Sequence, residues 1–208
     1  METKNLINNM KTKIIKKAQE RIYLDKNNVQ EILSDISYRR HIERYGMIRQ
    51  WCFGNVVDFA CGCGYGSWMI SHNPDVNKVY GFDIDTESID WANNNFTTEN
   101  VEFFAIDVKK IDVFLEPKKI DSVDVLVSLE TIEHIDDKYT VPIVADKCKA
   151  KNVIVSFPSK KSTHFNQYHK HDFRTQDLLD VFENYVLVEE IEIDKEIKIL
   201  RLARKYNL

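Results

Sequence analysis

The sequence predicts an α/β fold with a mostly parallel sheet, and three observations carry that prediction. From Val56 onward, short apolar runs alternate with longer amphipathic stretches, the pattern of successive βαβ units. A glycine-rich turn follows the first of those runs directly. The last two runs lie only a few residues apart, which permits an antiparallel hairpin and leaves no room for a crossover. Strands are expected at 55–59, 78–82, 101–105, 123–128, 152–157, 186–193 and 197–204, and helices at 66–71, 86–95, 138–148 and 175–182.

Residues 1–50 lack strand signals. Ile14, Ile15, Ala18 and Ile22, then Ile32, Leu33 and Ile36, recur at helical spacing and predict two or three helices with a break near residues 25–28. They are too few to build a core alone. They are expected to pack on the rest of the chain, as a helical lid segment (1–50) ahead of the main domain (51–208).

A length of 208 residues suits one α/β domain, and a hydrophobic fraction of 43% can fill its core. The charged fraction of 30% is mixed in sign with a net charge of −4, which disfavours a broad nucleic-acid footprint. Short lysine runs at 11–17 and at Lys160 and Lys161 read as solvated surface. Cys52, Cys61, Cys63 and Cys148 form no C-x-x-C pair, and Cys61 and Cys63 are too close for an easy disulfide. They are expected to be reduced thiols. The N-terminal residues do not read as a signal peptide, and no run approaches the roughly 18 apolar residues that span a bilayer. The expectation is a soluble cytoplasmic protein.

The most informative segment is Val56-Val57-Asp58-Phe59-Ala60-Cys61-Gly62-Cys63-Gly64-Tyr65-Gly66-Ser67. A buried strand with an acidic end runs into a glycine turn that opens a helix. Glycine lets backbone approach a ligand and adopt positive φ, and the first β–α crevice of an open sheet is where nucleotide-like ligands sit. A side chain at Gly64 is expected to occupy ligand space. The spacing Gly-x-Gly-x-Gly differs from the Gly-x-Gly-x-x-Gly that docks a pyrophosphate. The second strand ends in Asp83, about 17 residues beyond Gly66, near the offset of a ribose-binding carboxylate. The third ends in Asp107, placed to accept from an adenine amine.

With these residues the chain resembles the class I S-adenosylmethionine (SAM)-dependent methyltransferases over roughly residues 40–205. Residues 58–66 match that family's first motif, Asp83 its ribose-binding acid and Asp107 its adenine-side acid. His41-Ile42-Glu43-Arg44-Tyr45, the glycine loop and Ser128-Leu129-Glu130-Thr131-Ile132-Glu133-His134 together resemble bacterial and phage-type members of the methyltransferase-23/11 group, many of which modify sugars or surface glycans. The resemblance implies SAM as cofactor, with contacts from Tyr45, Asp58, Ala60, Gly62, Gly64, Tyr65, Asp83, Ile84, Asp107, Val108 and Leu129. It also implies a Rossmann-like seven-stranded sheet of order 3-2-1-4-5-7-6 with the last strand antiparallel. One departure is the turn before the fifth strand, where a frequent Lys-Pro-Gly-Gly is replaced by Lys149-Ala150-Lys151-Asn152.

Glu130, Glu133 and His134 follow the fourth strand, at the end of the sheet where a substrate meets a cofactor. His169 and His171 follow the fifth. Carboxylates with one or two imidazoles can hold a divalent cation or supply a general base. The E-x-x-E-H pattern resembles metal-dependent small-RNA 2′-O-methyltransferases and ubiquinone-pathway O-methyltransferases. That likeness implies magnesium, manganese or zinc on Glu130, Glu133, His134 and His169, with His171 as the alternate to His169. His134 and His169 are the expected catalytic residues. The expected reaction is methylation of a hydroxyl on a sugar, glycan or other small acceptor. The alternatives are an RNA 2′-O-methyltransferase and a non-catalytic SAM-fold partner subunit; an intact glycine loop and three intact acids oppose the second. A nicotinamide oxidoreductase is disfavoured by the glycine spacing. Neither the N-terminal segment nor the 159–173 loop spells out an acceptor.

Overall fold

The computed structural model describes Tyr23, residues 34–107 and residues 122–205. The helices expected before residue 34, the break near 25–28, and Val108 lie outside these residues. The described helix that precedes the sheet, α1 (Ile36–Ile48), passes through a 3-10 turn (Arg49–Trp51) into β1 (Gly54–Phe59). There follow α2 (Tyr65–Ser71), β2 (Val76–Asp83), α3 (Thr86–Asn95) and β3 (Val101–Ala105), then β4 (Val125–Ser128), α4 (Thr140–Lys147) and β5 (Asn152–Pro158), and finally α5 (Thr175–Val181), β6 (Tyr185–Ile193) and β7 (Ile197–Arg204).

The seven strands form one sheet in the order β3-β2-β1-β4-β5-β7-β6. Pairings are parallel through β5; β7 runs antiparallel to both neighbours, as the short β6–β7 link requires. In the three-residue link 194–196, Asp194 and Lys195 both take positive φ. Strand order reverses between β1 and β4, so a crevice opens outside their carboxyl ends.

Both faces of the sheet are covered, which explains why the central strands read as continuous apolar runs. On one face Val56, Val125, Val127, Ile154 and Ile199 pack with Tyr45 and Ile48 of α1, Ile70 of α2, and Ile89 and Ala92 of α3. On the other, Val57, Leu126, Val153, Val155 and Leu200 pack with Val141 and Val144 of α4 and Leu178 and Val181 of α5. Thus the second half of α1 is part of the core, whereas Ile36 at its start is exposed. All four cysteines are free and buried. No helix among the described residues is long and apolar enough to cross a membrane.

Element ends differ from expectation where a side chain intervenes. The fourth strand starts at Val125 rather than residue 123, because the Asp124 carboxylate turns to accept from the Asn55 amide at 2.8 Å and pairs with Lys151 at 2.7 Å. The helix expected from residue 138 starts at Thr140, after Asp137 accepts from the Tyr139 amide at 3.0 Å.

The turn without glycine before β5 is held by a clamp. Lys149 takes φ 48°, a conformation that favours glycine. The Ala150 carbonyl beside it accepts from the Tyr185 hydroxyl and from Arg204 Nε, both at 3.0 Å. Arg204 also reaches Asp146 at 2.8 Å and the Tyr185 hydroxyl at 2.7 Å. Arg204→Ala should therefore cost roughly 1.5–3 kcal/mol, the worth of a charged hydrogen bond. Lys149→Gly should recover about 1 kcal/mol by relieving the left-handed backbone. Urea denaturation measures both, and an Arg204→Ala protein as stable as wild type would show that the turn stands without the clamp.

Candidate cofactor and active site

The site is built around the β1–α2 turn. Ala60, Gly62 and Gly64 have φ of 61°, 55° and 84°, so the turn is a run of alternating left-handed positions. The two left-handed glycines do different work. A Cβ at Gly62 meets nothing within 4 Å, so this backbone faces open space in the crevice. A Cβ at Gly64 would lie 2.6 Å from Ala92 Cβ and 2.7 Å from the Phe103 ring. Gly64 is required by helix–strand packing, not by ligand space, which corrects the sequence expectation. Gly66 is likewise a packing glycine, with the Tyr45 ring lying against it.

Asp58 is fully buried behind this turn. Its two oxygens accept from the Tyr45 hydroxyl at 3.3 Å and from the Ser67 hydroxyl at 2.6 Å. Burial pushes its carboxyl up to about 7; the two hydroxyl donors pull it down, and nearby Asp83 pushes it further up. Tyr45 and Tyr65 are also buried and meet edge to face at 5.5 Å. Asp58, Tyr45 and Tyr65, expected as cofactor contacts, thus sit on the protein side of the loop.

Asp83 ends β2 and Ile84 follows it, while Leu129 follows β4. Asp83, at the end of β2, accepts from the Gly62 amide and the Asp85 amide, each at 2.9 Å. It ties the glycine loop to the next strand. Ile84 follows it with 69% of its surface exposed, an apolar platform at the mouth of the crevice. Asp107 is half-buried just beyond β3, held near Asp83 by the Ile106 amide bond to the Asp83 carbonyl at 2.8 Å. Leu129 is buried within the core cluster on the α1–α3 face of the sheet.

Past β4, the acid–histidine segment splits in two. Glu130 has φ 50°, a strained value for a non-glycine residue. Its amide donates to the Ser156 hydroxyl and its carboxylate accepts from that hydroxyl, both at 2.8 Å. Its second oxygen faces Arg44 of α1 at 3.4 Å. Arg44 is only 7% exposed, and its Nη1 makes no hydrogen bond. Burial of the His41 imidazole, the larger cause, and the Arg44 charge beside it hold the imidazole down at about 3. Nothing in the sequence beyond its place in the 41–45 motif marks Arg44.

Glu133, His134 and His169 come together, with one ligating atom of each within 4.8 Å of the others. Among the described residues this group has metal-site spacing, and Glu130 does not belong to it. Glu133 is fully buried, and the two imidazole rings meet edge to face at 4.6 Å. The 159–173 loop reaches the group because the Lys170 and His171 amides donate to the Glu133 carbonyl at 2.7 and 3.3 Å. His171 points elsewhere, with Nε2 on the carbonyls of Ile135 and Asp136 at 3.0 and 3.1 Å. Of the two histidines open in the sequence, His169 is the one in the group. Two imidazoles and a carboxylate suit a divalent cation in chemistry. Bonds of about 2 Å in a tetrahedral site need ligand atoms about 3.4 Å apart, so the widest pair would have to close by up to about 1.4 Å.

The family described as Methyltransferase domain matches residues 56–150, from β1 to the turn before β5. Three solved structures share the fold. The magnesium protoporphyrin IX methyltransferase of Synechocystis PCC 6803 with bound SAM has a TM-score of 0.65 at 17% identity, over 89% of this chain and 88% of that one. The N-methyltransferase NodS of Bradyrhizobium japonicum WM9, in complex with S-adenosylhomocysteine, has a TM-score of 0.62 at 13% identity, over 82% and 89%. A SAM-dependent methyltransferase of Anabaena variabilis has a TM-score of 0.62 at 12% identity, over 75% and 80%. No curated protein matches the sequence significantly. The matched domain and the sheet topology give the chain the fold shared by these methyltransferases.

Two tests separate the roles of the loop residues. Gly62→Ala should weaken SAM binding at least tenfold while costing about 1–2 kcal/mol of stability, because its side chain enters the open crevice in a left-handed backbone. Gly64→Ala should instead destabilise the fold by about 2–4 kcal/mol, adding overpacking to the same backbone strain. Calorimetric titration and urea denaturation read the two effects; equal effects on both scales would remove the distinction.

Asp58 makes a pH test. Its folded pKa lies above the unfolded value, so its stabilising contribution is complete below about 4 and is lost as pH rises through about 7. His41, held low, contributes in the opposite sense, losing stability as pH falls through about 3. The difference between wild type and Asp58→Asn isolates the aspartate. Without cofactor, the variant should gain stability relative to wild type as pH rises from 5 to 8, and a pH-independent gap would contradict the assignment.

Proposed function

We propose that the chain transfers the methyl group of SAM to a hydroxyl of a sugar, a glycan or another small acceptor. The observation that carries this reading is the Glu133–His134–His169 group beyond β4, the strand paired in parallel with β1, so that it lies at the same end of the sheet as the Gly62 turn and Asp83. In this reading Asp83 accepts the ribose hydroxyls, Ile84 underlies the adenine, Asp107 takes its amine, and Arg44 supplies positive charge for the methionine carboxylate. Asp58, Tyr45 and Tyr65 hold the loop from behind.

The sulfonium methyl is already electrophilic, so the chain's task is placement and proton removal. The acceptor oxygen attacks the methyl carbon. The sulfur–methyl bond breaks with its electron pair going to sulfur, which leaves S-adenosylhomocysteine. The hydroxyl proton passes to an imidazole, with His134 and His169 as the bases at hand. Glu133, His134 and His169 are also the residues that would hold a divalent cation, which would lower the acceptor hydroxyl's pKa. The relatives' acceptors differ, a porphyrin in one and a nitrogen in another, so the hydroxyl acceptor rests on the acid–imidazole group alone.

Methyl transfer from labelled SAM, screened over glycosides, small phenols and RNA ends, identifies the acceptor. Glu133→Gln, His134→Ala and His169→Ala should each leave SAM affinity within a few-fold. Each should cut turnover by about 10²–10⁴, and their effects should not add. Chelation should reproduce the loss where a cation takes part. Full activity in excess chelator removes the cation and keeps the imidazole base; variants with wild-type turnover would overturn the assignment of the group.

A further inference from the structure

Asp58 is an acid in a place that does not favour a charge. It is fully buried near the end of β1. Its oxygens accept from two neutral donors, the Tyr45 hydroxyl of α1 at 3.3 Å and the Ser67 hydroxyl of α2 at 2.6 Å. The other titratable groups around it are Cys52 before β1, Cys61 in the glycine turn, Tyr65 of α2 and Asp83 of β2. Burial pushes the two thiols and the two phenols up, so they stay neutral. Arg201 of β7 acts on Cys52 and Arg44 of α1 on Tyr65; neither is among the groups that move Asp58. The charge that does reach Asp58 is Asp83, and it has the same sign. A hydroxyl can donate to a carboxylate or turn to accept from a protonated acid, so this cage suits either state of the carboxyl.

Only the glycine turn separates this cage from the crevice. Gly62 faces open space, and its amide donates to Asp83 at 2.9 Å. Asp83 thus touches the turn at Gly62, and its charge is felt at Asp58. A charge carried by a ligand against Gly62 acts on Asp58 over a comparable range, through protein rather than water. SAM and S-adenosylhomocysteine differ in that respect. The sulfonium of the first is a cation, and the thioether of the second is neutral.

We propose that Asp58 is a specificity-determining residue that tells SAM from S-adenosylhomocysteine by charge, being ionised beside the sulfonium and taking up a proton from water when the neutral thioether stands in its place. This inference rests on reading SAM as the cofactor and is independent of the acceptor. The buried carboxylate has no cation of its own among the described residues, and the sulfonium supplies one. With the spent cofactor that partner is gone, and burial and Asp83 both favour the neutral acid. Both states lie within reach near neutral pH, where the carboxyl titrates at about 7. Fresh cofactor is thereby favoured over spent by a group that touches neither.

Infrared difference spectra of the full chain at neutral pH, S-adenosylhomocysteine-bound minus SAM-bound, should show the C=O stretch of a protonated carboxylic acid. Calorimetric titration with each ligand adds a pH profile. Raising the pH fills the ionised state, which only the cation favours. The preference for SAM over S-adenosylhomocysteine should therefore rise by about fivefold to tenfold between about pH 5.5 and about pH 8.5, a shift of one pKa unit being tenfold. Asp58→Asn should remove the acid band and flatten the rise, which also corrects for the ligands' own titrating groups. Ser67→Ala, which removes a donor to the ionised form, should move the rise to higher pH, a change that a merely structural bond would not produce. No acid band, or a wild-type preference that is the same across the range, would overturn the proposal; both are read on wild type, so neither depends on a variant folding. If both ligands bind and the preference is flat, the proposal fails and the cofactor reading stands. If neither binds, the cofactor reading fails and takes the proposal with it.

Discussion

One buried carboxylate organises the cofactor half of the molecule. Asp58 has no contact with solvent, and a carboxylate in that position is tolerated only when its oxygens are satisfied. Tyr45 comes from α1 and Ser67 from α2, so satisfying Asp58 fastens both helices to the end of β1. The glycine turn runs over this knot. Its path is set from below by the Tyr45 ring against Gly66 and from the side by Asp83 on the Gly62 amide. A loop that must offer bare backbone cannot brace itself with its own side chains, so the bracing comes from residues on neighbouring elements.

The same logic governs the far side of the crevice. Glu130 adopts a left-handed backbone at the end of β4, and its strain is offset by the reciprocal bond with Ser156 of β5 and the ion pair with Arg44. That arrangement brings the α1 helix into contact with two strand ends. It also turns the Glu130 carboxylate away from Glu133, His134 and His169. The E-x-x-E-H segment therefore holds two devices: a structural tie at its first residue and, at its last two, part of a group with metal-site spacing.

The strands were legible because a sheet covered on both faces leaves nearly unbroken apolar runs. The hairpin was legible because so few residues separate β6 from β7. Gly62 and Asp83 were legible from spacing, since one turn and one strand fix their separation. The remaining features depend on contacts between segments far apart in the chain. Gly64 reads like Gly62 in the sequence, and only the closeness of Ala92 and Phe103 separates them. Glu130 and Glu133 are both acids three residues apart, and only Ser156 and Arg44 distinguish their roles. The choice between His169 and His171 is settled by backbone carbonyls, which carry no sequence signal at all.

The two halves of the site are held by different forces. The cofactor half is set by strands and by helices buried in the core, where a small change in volume is felt. The acceptor half is hung on hydrogen bonds: the Glu133 carbonyl to residues 170 and 171, and Asp172 to residues 162 and 163. Between those anchors Phe165 and Tyr168 stand exposed, and their side chains support nothing in the core. Their replacement would therefore leave His169 and its backbone anchors in place. A chain built this way can vary the exposed side chains of one loop while the residues fixed by the sheet stay where it puts them.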